Sequence, residues 1–199
     1  MRDLFVEALG APGGIVLYQL LDATQYTVYL SLGAFAGGAV VGGVITIMRL
    51  TKSPRLRALA DSYVWTFQSV PLLMLLFLSG LGVPRLFGID VDPWAAAGLS
   101  LTLHASAFLA DVWRGCLESV DRSQEEAARA LGLGWFLTLI LVIAPQAFRI
   151  AVAPTVGFMV QIIKGTSMAY IIGFHDLMNI GKRWANASVP NTEPFIIFP

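Results

Sequence analysis

The stretch TQYTVYLSLGAFAGGAVVGGVITIM, residues 24–48, contains no charged side chain. A transmembrane helix needs about 20 consecutive, mostly apolar residues, so this stretch is long enough to cross a bilayer. The whole composition agrees, because 56% of the 199 residues are hydrophobic and only 13% are charged. A soluble domain carries about 25% charged residues and could not hide this much apolar surface. The sequence therefore predicts an all-α integral membrane protein.

Further apolar stretches follow along the chain. Residues 62–84 and 93–110 carry no charge, and a longer apolar region after Arg129 is broken only by Arg149 and Lys164. A last apolar run begins at Phe195 and reaches Pro199. These stretches predict a polytopic helical protein, and the length predicts a single domain over residues 1–199.

The distribution of lysine and arginine predicts the orientation, because cytoplasmic loops carry an excess of both. The turn after the first span is the most basic segment and belongs in the cytoplasm, so the N-terminus belongs outside. The mixed charge of Arg2, Asp3 and Glu7 is unlike a cleavable signal peptide. The pair Lys182 and Arg183 would lie outside, against the rule. The basic residues that define the cytoplasmic side are Arg49, Lys52, Arg55, Arg57, Arg114, Arg122 and Arg129.

Small residues recur four apart in the first span, as Gly33 with Gly37 and Gly38 with Gly42. Such pairs let another helix approach closely. Two interpretations remain open, helix packing within the chain and a contact between subunits.

The sequence lacks the equipment of an enzyme. No Gly-x-x-x-x-Gly-Lys-Ser/Thr phosphate-binding motif is present, since Gly181-Lys182 is followed by arginine. His104 and His175 lie far apart in sequence, and we expect neither a catalytic group nor a metal site. For His104 we expect a packed, hydrogen-bonded side chain rather than a proton relay.

The most specific segment is DRSQEEAARALG, residues 121–132. Ser123 followed by Glu126 has the spacing of a capping box, and Gly132 is a natural helix stop. We predict a short cytoplasmic helix at about residues 121–134. Asp111 and Arg114, just before it, either pair with each other or help to anchor this helix.

The same segment resembles a signature of the permease subunits of ATP-driven (ABC) importers. In that signature Glu-Ala-Ala is followed after three residues by Gly, and nine residues later by Ile-x-Leu-Pro. Here Glu126-Ala127-Ala128 is followed by Gly132, and then by Val142-Ile-Ala-Pro145 at the same spacing. Further text resembles the polar amino-acid branch of these permeases, and the likeness runs from about Tyr26 to Phe195. The supporting stretches are residues 107–114, 119–121, 124–133, 145–151 and 164–169.

The resemblance implies a permease of about five spans, multi-pass in a bacterial or archaeal inner membrane. It implies a second permease subunit, identical or related, an ATPase dimer that carries ATP and Mg, and an extracytoplasmic substrate-binding protein. No cofactor is expected on this chain. The short helix would dock on the ATPase, and Glu126 would meet a basic residue there. The docking residues implied are Glu125, Glu126, Ala127, Ala128, Arg129, Leu131 and Gly132.

The resemblance also places Trp135–Ala144 near the cytoplasmic face, with a span from about Ala147 to Ile172. Lys164 then lies within the membrane, where an ionisable side chain is a functional candidate. Lys164 either lines the pathway or neutralises an internal partner or helix carbonyls. The candidate pathway residues are Gln68, Ser69, Pro71, Lys164, Thr166 and Ser167.

The sequence departs from the family at three places. The family has an acid and an arginine where Trp65 and Gln68 stand, and often has Asp where Gly165 stands. A heterodimeric partner that supplies the charges, or a less charged substrate, would account for this. The family also has one more span after the text matching Thr192–Phe195, so we expect either an incomplete chain or a protein without its last helix. A secondary transporter or channel, and a membrane assembly subunit without a pathway, remain the alternatives.

Overall fold

The computed structural model describes residues 10–186, which form helices and turns without a strand. The predicted all-α fold is therefore confirmed. The N-terminal charges and the apolar run from Phe195 lie outside the described residues. The helices are α1 Ala11–Leu50, α2 Pro54–Ser69, α3 Leu72–Phe77, α4 Val83–Phe87, α5 Pro93–Glu118, α6 Arg122–Ala130, α7 Trp135–Thr138, α8 Ala144–Thr166 and α9 Leu177–Asn186.

Wider and tighter helical turns join some of these elements. A π-helical turn at Leu78–Gly82 links α3 to α4, and another at Leu139–Ile143 links α7 to α8. A 3-10 turn at Ser167–Ile172 extends α8. The chain is therefore helical without interruption from Trp135 to Ile172.

Three helical segments within residues 10–186 are long and apolar enough to cross a membrane, at Gly13–Leu50, Pro93–Glu118 and Trp135–Ile172. A fourth is present if α2 and the α3–α4 segment form one broken span. The apolar stretch at residues 62–84 is divided between these two helical segments, because α2 ends at Ser69 and α3 begins at Leu72. Val70 is extended, with φ −91° and ψ 121°. Pro71 favours this break, because proline disfavours the helical region for the residue before it.

The chain divides into two compact units. One unit comprises residues 35–71 and 102–161, and the other comprises, among the described residues, 10–34, 72–101 and 162–186. The single-domain assignment of residues 1–199 stays a prediction.

In the first unit, α1 and α5 meet at backbone distance. A Cβ built on Gly38 would lie 2.6 Å from the Ala105 Cβ, and one on Gly42 would lie 2.9 Å from the Ser106 carbonyl oxygen. The Thr46 hydroxyl donates across the same contact to the Ala110 carbonyl at 3.3 Å. The Gly38 and Gly42 pair therefore serves packing within the chain, the first of the two interpretations.

The inner core of this unit joins α1, α2 and α5. Ile45, Ala60, Val64 and Ala110 are buried together. Beside them, the hydroxyl oxygens of Tyr63 and Ser106 lie 2.6 Å apart. Hydrogen-bonded hydroxyls and small side chains are the usual means of joining helices in a membrane, where lipid is as apolar as the core.

In the second unit, the segment after Pro71 packs on the first half of α5. The Ser79 and Ser100 hydroxyl oxygens lie 2.7 Å apart, and Ser100 also donates to the Leu75 carbonyl at 3.1 Å. Trp94 lies edge-on to Phe174, with ring centroids 4.9 Å apart. These contacts position the turn before α9.

Candidate functional site

The short helix α6 begins at a cap that the sequence analysis placed two residues too late. The Asp121 carboxylate accepts a hydrogen bond from the Ser123 backbone N–H at 2.8 Å. The predicted capping box of Ser123 and Glu126 is therefore wrong, because the helix has already begun at Arg122. The bonds from the Ser123 backbone and hydroxyl lower the pKa of Asp121 below its ordinary value.

The end of α6 agrees with the predicted stop at Gly132. The Gly132 N–H donates to the Arg129 carbonyl at 2.9 Å, and the Leu133 N–H donates to the Ala128 carbonyl at 3.1 Å. This pair of bonds defines a Schellman motif, which needs a left-handed residue at the position of Gly132. Gly132 has φ +82°.

The side chains of α6 divide into an anchored set and an exposed set. Ala128 is buried, and the Glu125 carboxylate forms an ion pair with the Arg129 guanidinium one turn later in the helix. Glu126 and Ala127 are exposed, and Leu131 is 82% exposed. Within residues 10–186, Glu126 takes part in no ion pair. The helix thus presents an acid and apolar groups to whatever lies beyond the chain.

A pocket of about 390 Å³ lies beside α6. Its lining combines three acids, Glu118, Asp121 and Glu125, with one base, Arg122. The rest of the lining is apolar and comprises Leu50, Leu117, Val120, Trp135, Leu139 and Ile143. A lining that combines acids with apolar side chains suits a long basic side chain, which buries its aliphatic stem and keeps its charge near polar atoms.

Five charged residues form a network between the C-terminal parts of α1 and α5 and the middle of α2. Arg49 donates to Asp61 at 2.7 Å and to Asp111 at 2.9 Å. Arg114 bonds Glu118 at 2.7 Å and approaches Asp61 at 3.5 Å. Of the two alternatives for Asp111 and Arg114, their pairing with each other is wrong, since Asp111 pairs with Arg49 instead. A role in anchoring α6 stays a prediction.

This network was not predicted, although the sequence contains a signal for it. Arg49, Asp61 and Asp111 each stand at the edge of a charge-free stretch. Charges at the edges of spans share one membrane level when the spans end on the same side. Because Arg49 is opposite in charge to Asp61 and Asp111, a shared membrane level would have predicted that Arg49 pairs with these two acids.

The candidate pathway residues before Pro71 lie at the end of α2. Gln68 is half-buried, and its side-chain amide donates to the Ala107 carbonyl at 3.4 Å. Ser69 and Pro71 are exposed at the helix break. The break leaves polar backbone groups near Ser69, which in a membrane are tolerated only in protein or beside water.

The other candidates lie at the end of α8. Lys164 is exposed and forms no ion pair within the described part of the chain, so the alternative of an internal charge partner gains no support. Thr166 is fully buried and its hydroxyl donates to the Ile163 carbonyl at 2.7 Å. Ser167 is half-buried and begins the 3-10 turn. The side chains of Lys164 and Ser167 can thus still bind other groups, whereas the Thr166 hydroxyl is already bonded within its own helix.

His104 packs as expected but lacks part of the expected hydrogen bonding. Its ring lies 4.6 Å from the Phe108 ring and 6.5 Å from the Phe158 ring, centroid to centroid. Its Nδ1 atom is buried without a hydrogen-bond partner. Among the described residues, no group of three or more His, Cys, Asp or Glu side chains could hold a metal ion.

Several apolar helices long enough to span a membrane, a bent helix pair at Pro71 and a capped, exposed helix between two spans are typical of membrane-spanning transport proteins. Comparison with known proteins identifies the family within this class. Residues 30–197 match the family described as binding-protein-dependent transport system inner membrane component, and the chain belongs to that family. It is therefore a multi-pass inner-membrane permease subunit of an ABC importer, a class that works with an ATPase and a substrate-binding protein.

Individual relatives agree with this assignment. The chain is 33% identical over 163 residues to the probable amino-acid ABC transporter permease protein YckA of Bacillus subtilis, covering 82% of this chain and 72% of the relative. It is 32% identical over 193 residues to the probable glutamine ABC transporter permease protein GlnP of the same organism, covering 97% and 88%. The nopaline transport system permease protein NocM of Agrobacterium fabrum is 32% identical over 188 residues, covering 90% and 78%.

Solved structures share the fold. A crystal structure of an amino acid ABC transporter with histidines superposes with a TM-score of 0.84 at 26% identity, covering 91% of this chain and 84% of that one. An inward-facing MetNI methionine ABC transporter superposes with a TM-score of 0.75 at 20% identity, covering 90% and 86%, and supports the fold alone.

Proposed function

We propose that this permease subunit imports polar amino acids or related zwitterions. The observation that carries the proposal is the agreement among relatives, which are named for amino acids, glutamine and nopaline. The chain would have its N-terminus outside and would pair with an identical or related permease. ATP and Mg would act on the partner ATPase, with no catalysis on this chain.

The ATPase would engage α6. Its exposed groups, Glu126, Ala127 and Leu131, offer an acid beside apolar surface, and the adjacent pocket suits a basic side chain. The Schellman motif at Gly132 fixes the direction in which the chain leaves α6. A capped helix with a fixed exit can move as a rigid body, which is what transmission of ATPase closure requires.

Two polar segments are our candidates for the pathway. One is the helix break at Gln68, Ser69 and Pro71, and the other is the end of α8 at Lys164 and Ser167. The exposed ammonium group of Lys164 would meet the substrate carboxylate. Thr166 would support the second segment through its bond to Ile163 rather than touch substrate.

Co-purification with the ATPase of the same transport system tests the coupling role. Gly132→Val should abolish co-elution, because a β-branched residue with φ near +82° costs about 1–3 kcal/mol. Gly132→Asn should retain it, since Asn tolerates this conformation. Gly134→Ala is the matched control, because Gly134 has φ −68° and open space around its Cβ position. Glu126→Lys should also abolish co-elution by reversing the exposed charge.

Substrate is tested separately, by asking which loaded binding protein stimulates ATP hydrolysis by the reconstituted complex. Stimulation by an amino-acid-loaded binding protein supports the proposal. Co-elution that survives both Gly132→Val and Glu126→Lys would refute the coupling role of α6. Stimulation only by a sugar- or metal-loaded binding protein would refute the amino-acid assignment while leaving coupling intact.

A further inference from the structure

A cavity of about 500 Å³ lies in the second compact unit, among the first part of α1, the start of α5 and helix α9. Its lining contains no residue of α6 and none of the pathway candidates, and the proposed function assigns it no role. Its lining combines charged and aromatic side chains. The principal ones are Asp22, Tyr26, Trp94, His175, Arg183 and Trp184.

The length of α1 gives the membrane level of this cavity. Arg49 marks the end of the charge-free stretch, and Asp22 precedes it by 27 residues, which is about 40 Å at 1.5 Å per residue. The hydrocarbon core is about 30 Å thick, and the bilayer with its headgroups about 40–45 Å. Asp22 precedes the charge-free stretch of residues 24–48, so it stands at the edge of the predicted span, at the level of the headgroups. A ligand would reach a cavity at this level from water or from the headgroup layer.

The charged groups of the cavity have few polar contacts within the described part of the chain, so they can bind a ligand. Asp22 accepts one bond, from the Gln25 amide to Oδ1 at 2.7 Å. Arg183 is exposed and has one polar contact within residues 10–186, with His175 Nε2 at 3.3 Å. Neither residue forms an ion pair within the described part of the chain. A carboxylate and a guanidinium thus line one cavity without neutralising each other.

The aromatic walls are held in place. The Trp184 indole N–H donates to the Gln19 side-chain oxygen at 2.8 Å. Tyr26 lies edge-on to Trp94, with ring centroids 6.0 Å apart. Aromatic faces attract an ammonium group, most strongly where water is partly excluded. Walls fixed in this way reduce the entropy cost of binding.

We propose that this cavity binds a zwitterion, with its ammonium group near Asp22 and the aromatic rings and its anionic group on Arg183. Arginine recognises carboxylate and phosphate alike through paired N–H donors. The same chemistry is offered by a free amino acid and by the headgroup of a zwitterionic phospholipid. The experiment distinguishes these two sources.

Calorimetric titration of the purified full-length chain in non-ionic detergent tests the proposal. The probes are glutamine, arginine and water-soluble dihexanoyl phosphatidylethanolamine, with dihexanoyl phosphatidylglycerol as the control that lacks an ammonium group. Binding of an amino acid identifies a solute site, and binding of phosphatidylethanolamine identifies a lipid site. No ATPase or binding protein is present, so the result is independent of the proposed coupling and import.

Variants locate the binding. Asp22→Asn and Arg183→Gln should each weaken the bound probe about tenfold, which corresponds to about 1.4 kcal/mol. Lys182→Gln is the matched control, because the Lys182 ammonium lies over the Tyr170 ring, 3.8 Å from its centroid, and does not line the cavity. The proposal is overturned if neither class of probe binds, if phosphatidylglycerol binds as tightly as phosphatidylethanolamine, or if Lys182→Gln weakens binding as much as Arg183→Gln.

Discussion

Replacing Arg49 with methionine should destabilise the protein by about 2 kcal/mol. The Arg49 side chain is 8% exposed and makes two charge-assisted bonds, at 2.7 and 2.9 Å. Each such bond contributes about 1.5–3 kcal/mol. The two carboxylates, on Asp61 and Asp111, are 43% and 53% exposed, so both regain water when the arginine is removed. That recovery offsets roughly half of the loss, and the apolar methionine preserves packing of the buried stem.

The measurement is thermal unfolding of the purified protein, followed by tryptophan fluorescence. A loss of about 2 kcal/mol corresponds to a fall in Tm of about 4–8 °C for a chain of this size. Arg55→Met is the control, because Arg55 is exposed and joins no ion pair among the described residues, and its effect should stay below about 0.5 kcal/mol. Asp111→Asn, alone and combined with Arg49→Met, should show a coupling energy of about 1 kcal/mol. Equal Tm values for Arg49→Met and Arg55→Met would refute the reasoning.

Two further predictions concern α1 and α6. Gly38→Ala should destabilise the protein by about 1–3 kcal/mol through overpacking against Ala105, and Ala105→Gly should partly restore Tm. Gly33→Ala, where a Cβ meets open space, should be neutral or stabilising by up to about 1 kcal/mol, so equal losses at Gly33 and Gly38 would contradict the packing. The cap of α6 should weaken in acid. Because the folded pKa of Asp121 is lowered, its contribution is present above the unfolded pKa of about 4 and is lost as pH falls through the folded value. Carboxyl-carbon NMR should give a lowered midpoint for Asp121, which Ser123→Ala should raise, and an ordinary midpoint would contradict the cap.

The sequence could predict the helical spans because lipid leaves few choices. A charge-free stretch in a bilayer must satisfy its own backbone, and a helix does this locally. The stop of α6 was equally local, since Gly132 supplies the left-handed residue that its Schellman motif needs. The cap was misplaced because both Asp121 and Ser123 are good capping residues, and local preference does not rank them.

The ion pairs could not be predicted from local patterns. Whether Asp111 meets Arg114 or Arg49 depends on which helices are neighbours and how each is rotated about its axis. The break after Ser69 was readable in principle, because Pro71 restricts Val70, yet hydropathy averages over such positions. The roles of Lys164 and Gln68 depend on groups beyond this chain, and they stay predictions.

The basic residues at the end of α1 and the start of α2 differ in their contacts, and this difference has a consequence for membrane insertion. Arg49 is committed to Asp61 and Asp111, whereas Lys52, Arg55 and Arg57 remain exposed. An exposed base near an anionic leaflet gains about 1 kcal/mol from the negative surface potential. If the turn lies in the cytoplasm, as the distribution of basic residues predicts, these three residues can act on the leaflet during synthesis, before α5 exists to engage Arg49. The side chains that would set the orientation, Lys52, Arg55 and Arg57, thus differ from the one that stabilises the fold, Arg49. A substitution could therefore change the orientation without changing the fold, or the reverse.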